Sequence, residues 1–373
     1  MAEPGVALTG ATGFLGAHLV RELLRRHRTL TVLARGDSAS VLDRIGRFLR
    51  LAGASAELLD ELPGRVRPVR TDLTRPRLGL SATAFRELAD ELDVLWHCAG
   101  DVTLGGDLAE LRRVNVGGTR QMLDLAAAGR RQPLLHHVST AFVAGAHRYG
   151  TIREDFLDDS AGFENHYERS KFEAEVLVRR WAAEHGRPVV VFRPSVLVTD
   201  LPRCADLPRH TVGLVGELVE KHLRQFGLAD HWPPEHLRPV VRIVGDSTAH
   251  LNLLPVDTAA SVMARLAEHP PSGGVDTFHI VHRWDTLIAD LLAVLERIAP
   301  VRPRLVSGVP PDETSLEAAV RYYSAFGSYA RQHRRFDDSR VRALLGNSTH
   351  CPRLDRNYLH ATIRRAAASA ARA

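Results

Sequence analysis

Lysine is the scarcest charged residue in this chain. Of 49 basic residues only Lys171 and Lys221 are lysine, and the rest are arginine. A protein that meets nearly every need for positive charge with a guanidinium keeps an ammonium where a compact, titratable charge is required. Cysteine is almost as rare: Cys98, Cys204 and Cys351 lie far apart in 373 residues. That spacing offers neither a disulfide ladder nor a zinc motif, so no structural metal is expected, and a reducing, cytoplasmic setting is. No run of about 18 apolar residues occurs, so no transmembrane helix is expected. The opening MAEPGVALTG passes straight into a strand pattern without a charged-then-apolar leader. The net charge is +5, yet the basic residues are scattered in pairs such as Arg25-Arg26 and Arg112-Arg113. Without an aromatic-interleaved basic stripe, no nucleic-acid partner is expected.

What remains is ordinary globular material, 45% hydrophobic and 25% charged, enough for a sizeable core. Strand-like apolar runs alternate with helical periodicity. Val6 to Leu8, 29–35, 65–73, 93–100, 134–143 and 188–197 read as strands. Between them, Ala17 to Arg26, Ser38 to Leu62, Ser81 to Glu91, 108–128 and Asn165 to His185 read as helices. This order predicts a Rossmann-type α/β fold, a doubly wound parallel sheet with its site at the strands' carboxyl ends. After Thr199 the pattern changes to Pro-rich loops, a helix around Val212–Phe226, late strands at 240–246 and 276–282, and helices at Thr258–Ala267, Trp284–Ile298 and Ser315–Gln332. We therefore expect a dinucleotide-binding domain over 1–198. A smaller C-terminal substrate-binding lobe is expected over 199–373, with strands from about 240–282 returning to the sheet. SLEAAVRYYSAFGSYARQHRRF reads as a lobe helix covering the substrate channel.

Gly10, Gly13 and Gly16 stand G-x-x-G-x-x-G between the first strand and first helix. There they permit a tight turn, close approach of backbone to a pyrophosphate and close helix packing, with the helix N-terminus facing the phosphates. An acidic residue ending the second strand would suit the 2′-hydroxyl of NAD, whereas Arg35 suits the 2′-phosphate of NADP. Arg44 could assist it, and Asp37 blurs the choice; NADPH is expected over NADH. Asp72 and Leu73, after the third strand, flank adenine by the same geometry, and Cys98, Ala99 and Gly100 close the fourth strand beside the cofactor.

Tyr167 and Lys171 are four apart on a predicted helix and so share a face. A neighbouring ammonium favours the phenolate, and this reading expects Lys171 to lower the pKa of Tyr167. Ser139 and Thr140, ending the fifth strand, offer hydroxyls to a substrate oxygen as charge grows on it; Thr140 is preferred, Ser139 second. His136 and His137 read as packed strand residues, and Cys98 as a small core-edge residue.

Taken in order, LTGATGFLG, TDLTRPRLGLS, VNVGGT, HVSTAFV, NHYERSKFEAE and FRPSVLV resemble the thioester-reductase branch of the extended short-chain dehydrogenases. These are the reductive-release domains of nonribosomal peptide and polyketide synthases and of carboxylic acid reductases, with fatty acyl-CoA reductases as relatives. The resemblance covers residues 6–198 and continues more loosely through RIVGD and LNLLPVD to FHIVH. It implies catalysis by Thr140, Tyr167 and Lys171. For the cofactor it implies Gly10, Thr12, Gly13, Phe14, Leu15 and Gly16 of the loop, Arg35, Asn115 of VNVGGT, and Pro194 and Ser195 beside the nicotinamide. Two departures stand out: Cys98 where relatives usually carry asparagine, and TDLPRCADLPRH where they usually run Gly/Ser-rich.

The implied activity is NADPH-dependent reduction of an acyl thioester to an aldehyde, with a second hydride giving the alcohol, in natural-product biosynthesis. No adenylation or carrier segment is visible, so a free-standing reductase drawing on CoA or a separate acyl carrier protein is expected. The alternatives are a ketone or alcohol dehydrogenase, or a nucleotide-sugar epimerase or dehydratase, on the same fold. A non-catalytic dinucleotide scaffold would be expected to lose Tyr167 or Lys171, and the sequence keeps both.

Overall fold

A computed structural model of the chain describes residues 3–201, 212, 233–323, 327–346 and 351–364. Seven parallel strands form one sheet: β1 (Val6–Thr9), β2 (Leu30–Ala34), β3 (Val66–Arg70), β4 (Val94–His97), β5 (Leu134–Val138), β6 (Val189–Pro194) and β7 (Val275–Ile280). Their order across the sheet is β7-β6-β5-β4-β1-β2-β3, a Rossmann-type sheet whose direction of winding reverses between β1 and β4. Strands buried on both faces read as continuous apolar runs, as VALT and VVVF do here. Pro68, which cannot donate to a ladder, sits in β3 at the sheet edge, where that loss is tolerated.

Helices α1 (Phe14–Leu24), α2 (Ser38–Leu51), α3 (Ala56–Arg65), α4 (Ala82–Glu91), α5 (Leu108–Ala128) and α6 (His166–His185) fill the crossovers. One apolar cluster packs α1, α2 and Val256–Leu266 on one face of the sheet; a second packs α4, α5 and α6 on the other. Helix α5 spans the predicted residues, with the Asp107 carboxylate accepting from the Ala109 and Glu110 N–H groups at 2.9 and 3.1 Å. The predicted helix 38–62 is two helices. Gly53 adopts φ +75° between them, and Ser55 caps the second by accepting from Leu58 N.

Beyond β6 the chain breaks step at Ser195, and Val196–Val198 pairs in parallel with Leu253–Pro255, outside the main sheet. Val275–Ile280 pairs with β6 at the sheet edge. Val240–Val244 instead pairs with Arg302–Val306 in a separate two-stranded sheet. Of the helix expected over 315–332, Ser315–Tyr323 is helical and Gly327–Arg331 is a 3-10 turn, with 324–326 between them outside the described residues. The helix expected around Val212–Phe226 lies, apart from Val212, outside the described residues, as does Cys204. Among the described residues no helix is long and apolar enough to cross a membrane, and no cluster of His, Cys, Asp and Glu could hold a metal ion.

Candidate active site

A cleft of about 1000 Å³ opens over the carboxyl ends of β1, β4, β5 and β6. Its floor begins at the glycine loop. Gly10 holds φ +76°, and a Cβ there would stand 2.7 Å from Ala99 N; at Gly16 it would meet Gly10 O at 1.9 Å. Only hydrogen fits at either position, and the bare backbone lets a ligand approach the N-terminus of α1. Thr12, Gly13, Phe14 and Leu15 complete the loop's share of the lining.

At one end the cleft is cationic. Arg35 and Arg44 are exposed and line it, as do Asp72 and Leu73. Asp37, whose carboxylate left the cofactor preference open, is committed elsewhere: it caps α2 by accepting from Ser40 N at 2.9 Å and Ser40 Oγ at 2.9 Å. Those bonds hold its pKa below the ordinary range. Asp72 is likewise held low by Thr74, whose hydroxyl and N–H donate to Oδ1 at 2.7 and 2.9 Å.

Cys98, Ala99 and Gly100 line the middle of the cleft. Burial pushes the Cys98 thiol up to about 12, which suits a packed thiol rather than a nucleophile. The loop they form is held from behind. Thr9 Oγ1 accepts from Cys98 N and Ala99 N, both at 3.1 Å, and meets His97 Nδ1 at 3.0 Å. With both amides donating to it, the hydroxyl gives its own proton to His97 Nδ1 rather than to the Trp96 carbonyl at 3.5 Å. His97 is then the Nε2–H tautomer, donating to Thr119 Oγ1 at 3.1 Å, and Thr119 donates to Asn115 O at 2.6 Å. Burial first, then Lys171, lowers the His97 pKa to about 3, so the ring is neutral.

Asn115 departs from its expected place. It is 2% exposed and does not line the cleft. Its amide oxygen accepts from Asp101 N at 2.7 Å, and its nitrogen donates to Asp101 O and Ser170 Oγ, both at 2.9 Å. It braces the loop after β4 from one layer back.

Thr140, Tyr167 and Lys171 all reach the cleft. Lys171 is 6% exposed, and its Nζ donates to Val138 O at 2.7 Å. Burial lowers its pKa to about 8. The phenol of Tyr167 runs against expectation. Burial raises its pKa above the ordinary tyrosine value, the Thr140 hydroxyl offsets only part of that rise, and the Glu168 carboxylate adds to it. Withdrawal of the phenol from water is the largest influence on it, so Tyr167 is a firmly protonated acid.

Ser139 also departs from its expected part. Although it borders the cleft, its hydroxyl donates to Glu175 Oε2 at 2.7 Å. Burial alone would raise Glu175, but the charges of Arg193 and Arg179 bring it down to about 2. Arg193, fully buried in β6, donates to both Glu175 oxygens at 3.0 and 2.7 Å. Thr140 has no carboxylate claiming its hydroxyl, which meets the Tyr167 phenol and lies 3.4 Å from Pro194 O and 3.3 Å from Phe142 N. Pro194 and Ser195 line the cleft opposite, and Ser195 Oγ is buried without a partner among the described residues, a polar atom left for a ligand. His136 and His137 are buried and neutral; His136 packs edge-on against Trp96 at 4.3 Å.

Sequence reasoning missed the support behind these groups, namely Thr9, His97, Glu175 and Arg193. It also missed apolar members of the lining, among them Leu104, Phe142, Val196 and Tyr329. Phe142 lies within the HVSTAFV motif and could have been found there. Tyr329, 161 residues from its α6 partner Glu168, carried no local signal beyond belonging to a segment expected to cover the channel.

Residues 8–263 match the family of NAD-binding domains described as male sterility protein. Among curated proteins, the chain is 32% identical over 304 residues to a linear gramicidin synthase polypeptide of Brevibacillus parabrevis, aligning 78% of its length. It is 33% identical over 276 residues to the isonitrile lipopeptide synthase of Streptomyces coeruleorubidus, aligning 72%. It spans only 5% and 17% of those two proteins. Among solved structures, the terminal R domain from the myxalamid PKS-NRPS biosynthetic pathway superposes with a TM-score of 0.75 at 28% identity, over 97% of this chain and 90% of that one.

Proposed function

Since the chain belongs to the male sterility protein family of NAD-binding domains, we propose that it is an NADPH-dependent reductase of acyl thioesters. The observation that carries the proposal is the meeting, in one cleft, of a glycine loop with a protonated phenol, a neighbouring hydroxyl and a buried ammonium. The synthases and the R domain to which it is similar support the thioester as substrate. The acyl donor in this reading is a separate carrier protein or CoA.

The residues fit a nicotinamide dinucleotide. Gly10 and Gly16 admit no side chain, the α1 N-terminus faces the loop, and the buried Ser195 hydroxyl, without a partner among the described residues, would be available to a polar group of the cofactor. Arg35, with Arg44 beside it, supplies the cations for a 2′-phosphate, and Asp37 is occupied with its helix cap. When bound, NADPH supplies the hydride that reduces the thioester carbonyl. Thr140 and Tyr167 hold the carbonyl oxygen by hydrogen bonds that strengthen as negative charge grows on it. A raised phenol pKa suits this direction of chemistry, because the group must arrive with its proton. Tyr167 gives that proton to the oxygen, forming a hemithioacetal; the C–S bond then breaks to release an aldehyde and a thiol. Lys171, anchored on Val138 O one helical turn from Tyr167, keeps a positive charge in the same cleft to favour the phenolate left behind. A second round on the aldehyde yields the alcohol.

The test follows loss of reduced-nicotinamide absorbance with acyl-pantetheine and acyl-CoA substrates, with free thiol and trapped aldehyde quantified. Tyr167→Phe should lower kcat by about 10²–10⁴ while NADPH binding, followed by fluorescence, persists. Turnover of ketones or sugar nucleotides, with no oxidation of NADPH by any thioester, would overturn the proposal.

A further inference from the structure

One wall of the cleft takes no part in the chemistry above. Phe142 and Tyr329 are buried, and their rings meet edge to face at 5.3 Å and 82°. Leu104 and Val196 pack on the same apolar cluster, and all four side chains line the cleft. Phe142 stands two residues beyond Thr140. Tyr329 arrives from far along the chain, in the turn Gly327–Arg331.

The Tyr329 hydroxyl is not offered to a ligand. It donates to Glu168 Oε1 at 2.5 Å and accepts from Asn165 Nδ2 at 2.8 Å. Glu168 follows Tyr167 in α6 and is fully buried, and its other oxygen accepts from Glu164 N at 3.0 Å. Asn165 caps α6, its Oδ1 accepting from Glu168 N at 3.0 Å. The hydroxyl therefore acts as a peg that pins the ring to the first turn of the helix carrying Tyr167. What reaches the cleft is the apolar body of the ring. A polar substituent pressed against this wall would leave water without gaining a partner. The lining arginines, Arg35, Arg44 and Arg47, stand at the glycine-loop end, and the Arg334 guanidinium, which does not line the cleft, stacks on the Phe142 ring at 5.1 Å.

Resting on the thioester-reductase reading, we propose that Tyr329 is the specificity-determining residue of the acyl subsite: the enzyme takes thioesters with an apolar acyl group, and the pinned ring sets the bulk it accepts. Because the peg is bonded to Glu168, the size limit is fixed relative to Tyr167 and Thr140 rather than by a loop that can swing away.

The experiment measures kcat/KM for straight-chain, branched and polar (hydroxyacyl and carboxyacyl) CoA thioesters at saturating NADPH, in wild type, Tyr329→Ala and Tyr329→Leu. Wild type should favour small apolar chains over polar ones of equal length by about tenfold or more. In Tyr329→Ala the ratio of branched to straight-chain kcat/KM should rise by about tenfold, with the KM for NADPH unchanged. That split separates a wall residue from a merely structural one, which would move both constants or neither. Tyr329→Leu keeps part of the volume and carries the same comparison should the alanine variant not fold. A wild type that turns over thioesters but prefers the polar ones, or variants with the wild-type ratio, would overturn the proposal for Tyr329 alone. A wild type inactive on every thioester would overturn it together with the reading on which it rests.

Discussion

On the proposed mechanism, Lys171 should make stability and activity respond to pH in opposite directions. The perturbation is Lys171→Met, which keeps an unbranched chain and removes the amine. In the folded protein burial sets the lysine pKa at about 8, against a reference of 10.5. The folded state therefore binds the proton less readily than the unfolded chain, and the ammonium opposes folding wherever it is present. Linkage puts that opposition at about 3 kcal/mol at pH 7, falling to about 1 kcal/mol at pH 10 as the folded-state amine gives up its proton. Urea denaturation of both proteins at the two pH values should show the methionine variant's advantage shrinking by about 2 kcal/mol. Loss of the bond to Val138 O is a nearly constant offset and cancels from that difference. Activity should move the other way. The ammonium is about nine-tenths populated at pH 7 and about one-tenth at pH 9, so wild-type kcat/KM for NADPH, which reports the free enzyme, should fall roughly tenfold across that interval. A stability difference that stays constant between pH 7 and 10, or a profile flat to pH 10, would refute the argument that burial governs this amine.

Two further outcomes follow from charges placed elsewhere. Arg35→Ala should raise the KM for NADPH about tenfold to a hundredfold, the value of a charge-assisted contact to the 2′-phosphate, and leave the KM for NADH little changed; equal effects on both cofactors would remove Arg35 from that role. Glu175→Ala strips the fully buried Arg193 of its carboxylate and should cost about 3–5 kcal/mol in urea denaturation; a loss below about 1 kcal/mol would mean that the Glu154 and Phe156 carbonyls already satisfy the guanidinium.

The alternation of strands with helices, the glycine loop and the Tyr167–Lys171 spacing were legible because each is a local pattern. Helix α5 needed only its periodicity and the Asp107 cap. Local pattern failed where the chain changes partner without changing composition. VSTAFV continues the β propensity of β5, yet the strand stops at Val138 and Ala141–Ala144 turns in a 3-10 helix. Likewise Val196–Val198 looks like more of β6 but leaves the main sheet. The protonation of Tyr167 was misread for a different reason. Spacing shows that a lysine is near, but not that both groups are withdrawn from water, and the second fact decides the sign. Tyr329 illustrates the limit most sharply, since its bond to Glu168 joins residues 161 apart in sequence.

The run from Thr9 through His97 and Thr119 to Asn115 is tied at its Thr9 end by two backbone amides, so it behaves like a ratchet rather than a spring. His97 within it, with a pKa of about 3, takes on no charge at neutral or alkaline pH. The strand end that carries Cys98 and Ala99 consequently keeps its shape over the whole interval in which the amine titrates. Any alkaline loss of turnover then reports the amine itself rather than a sagging coenzyme shelf.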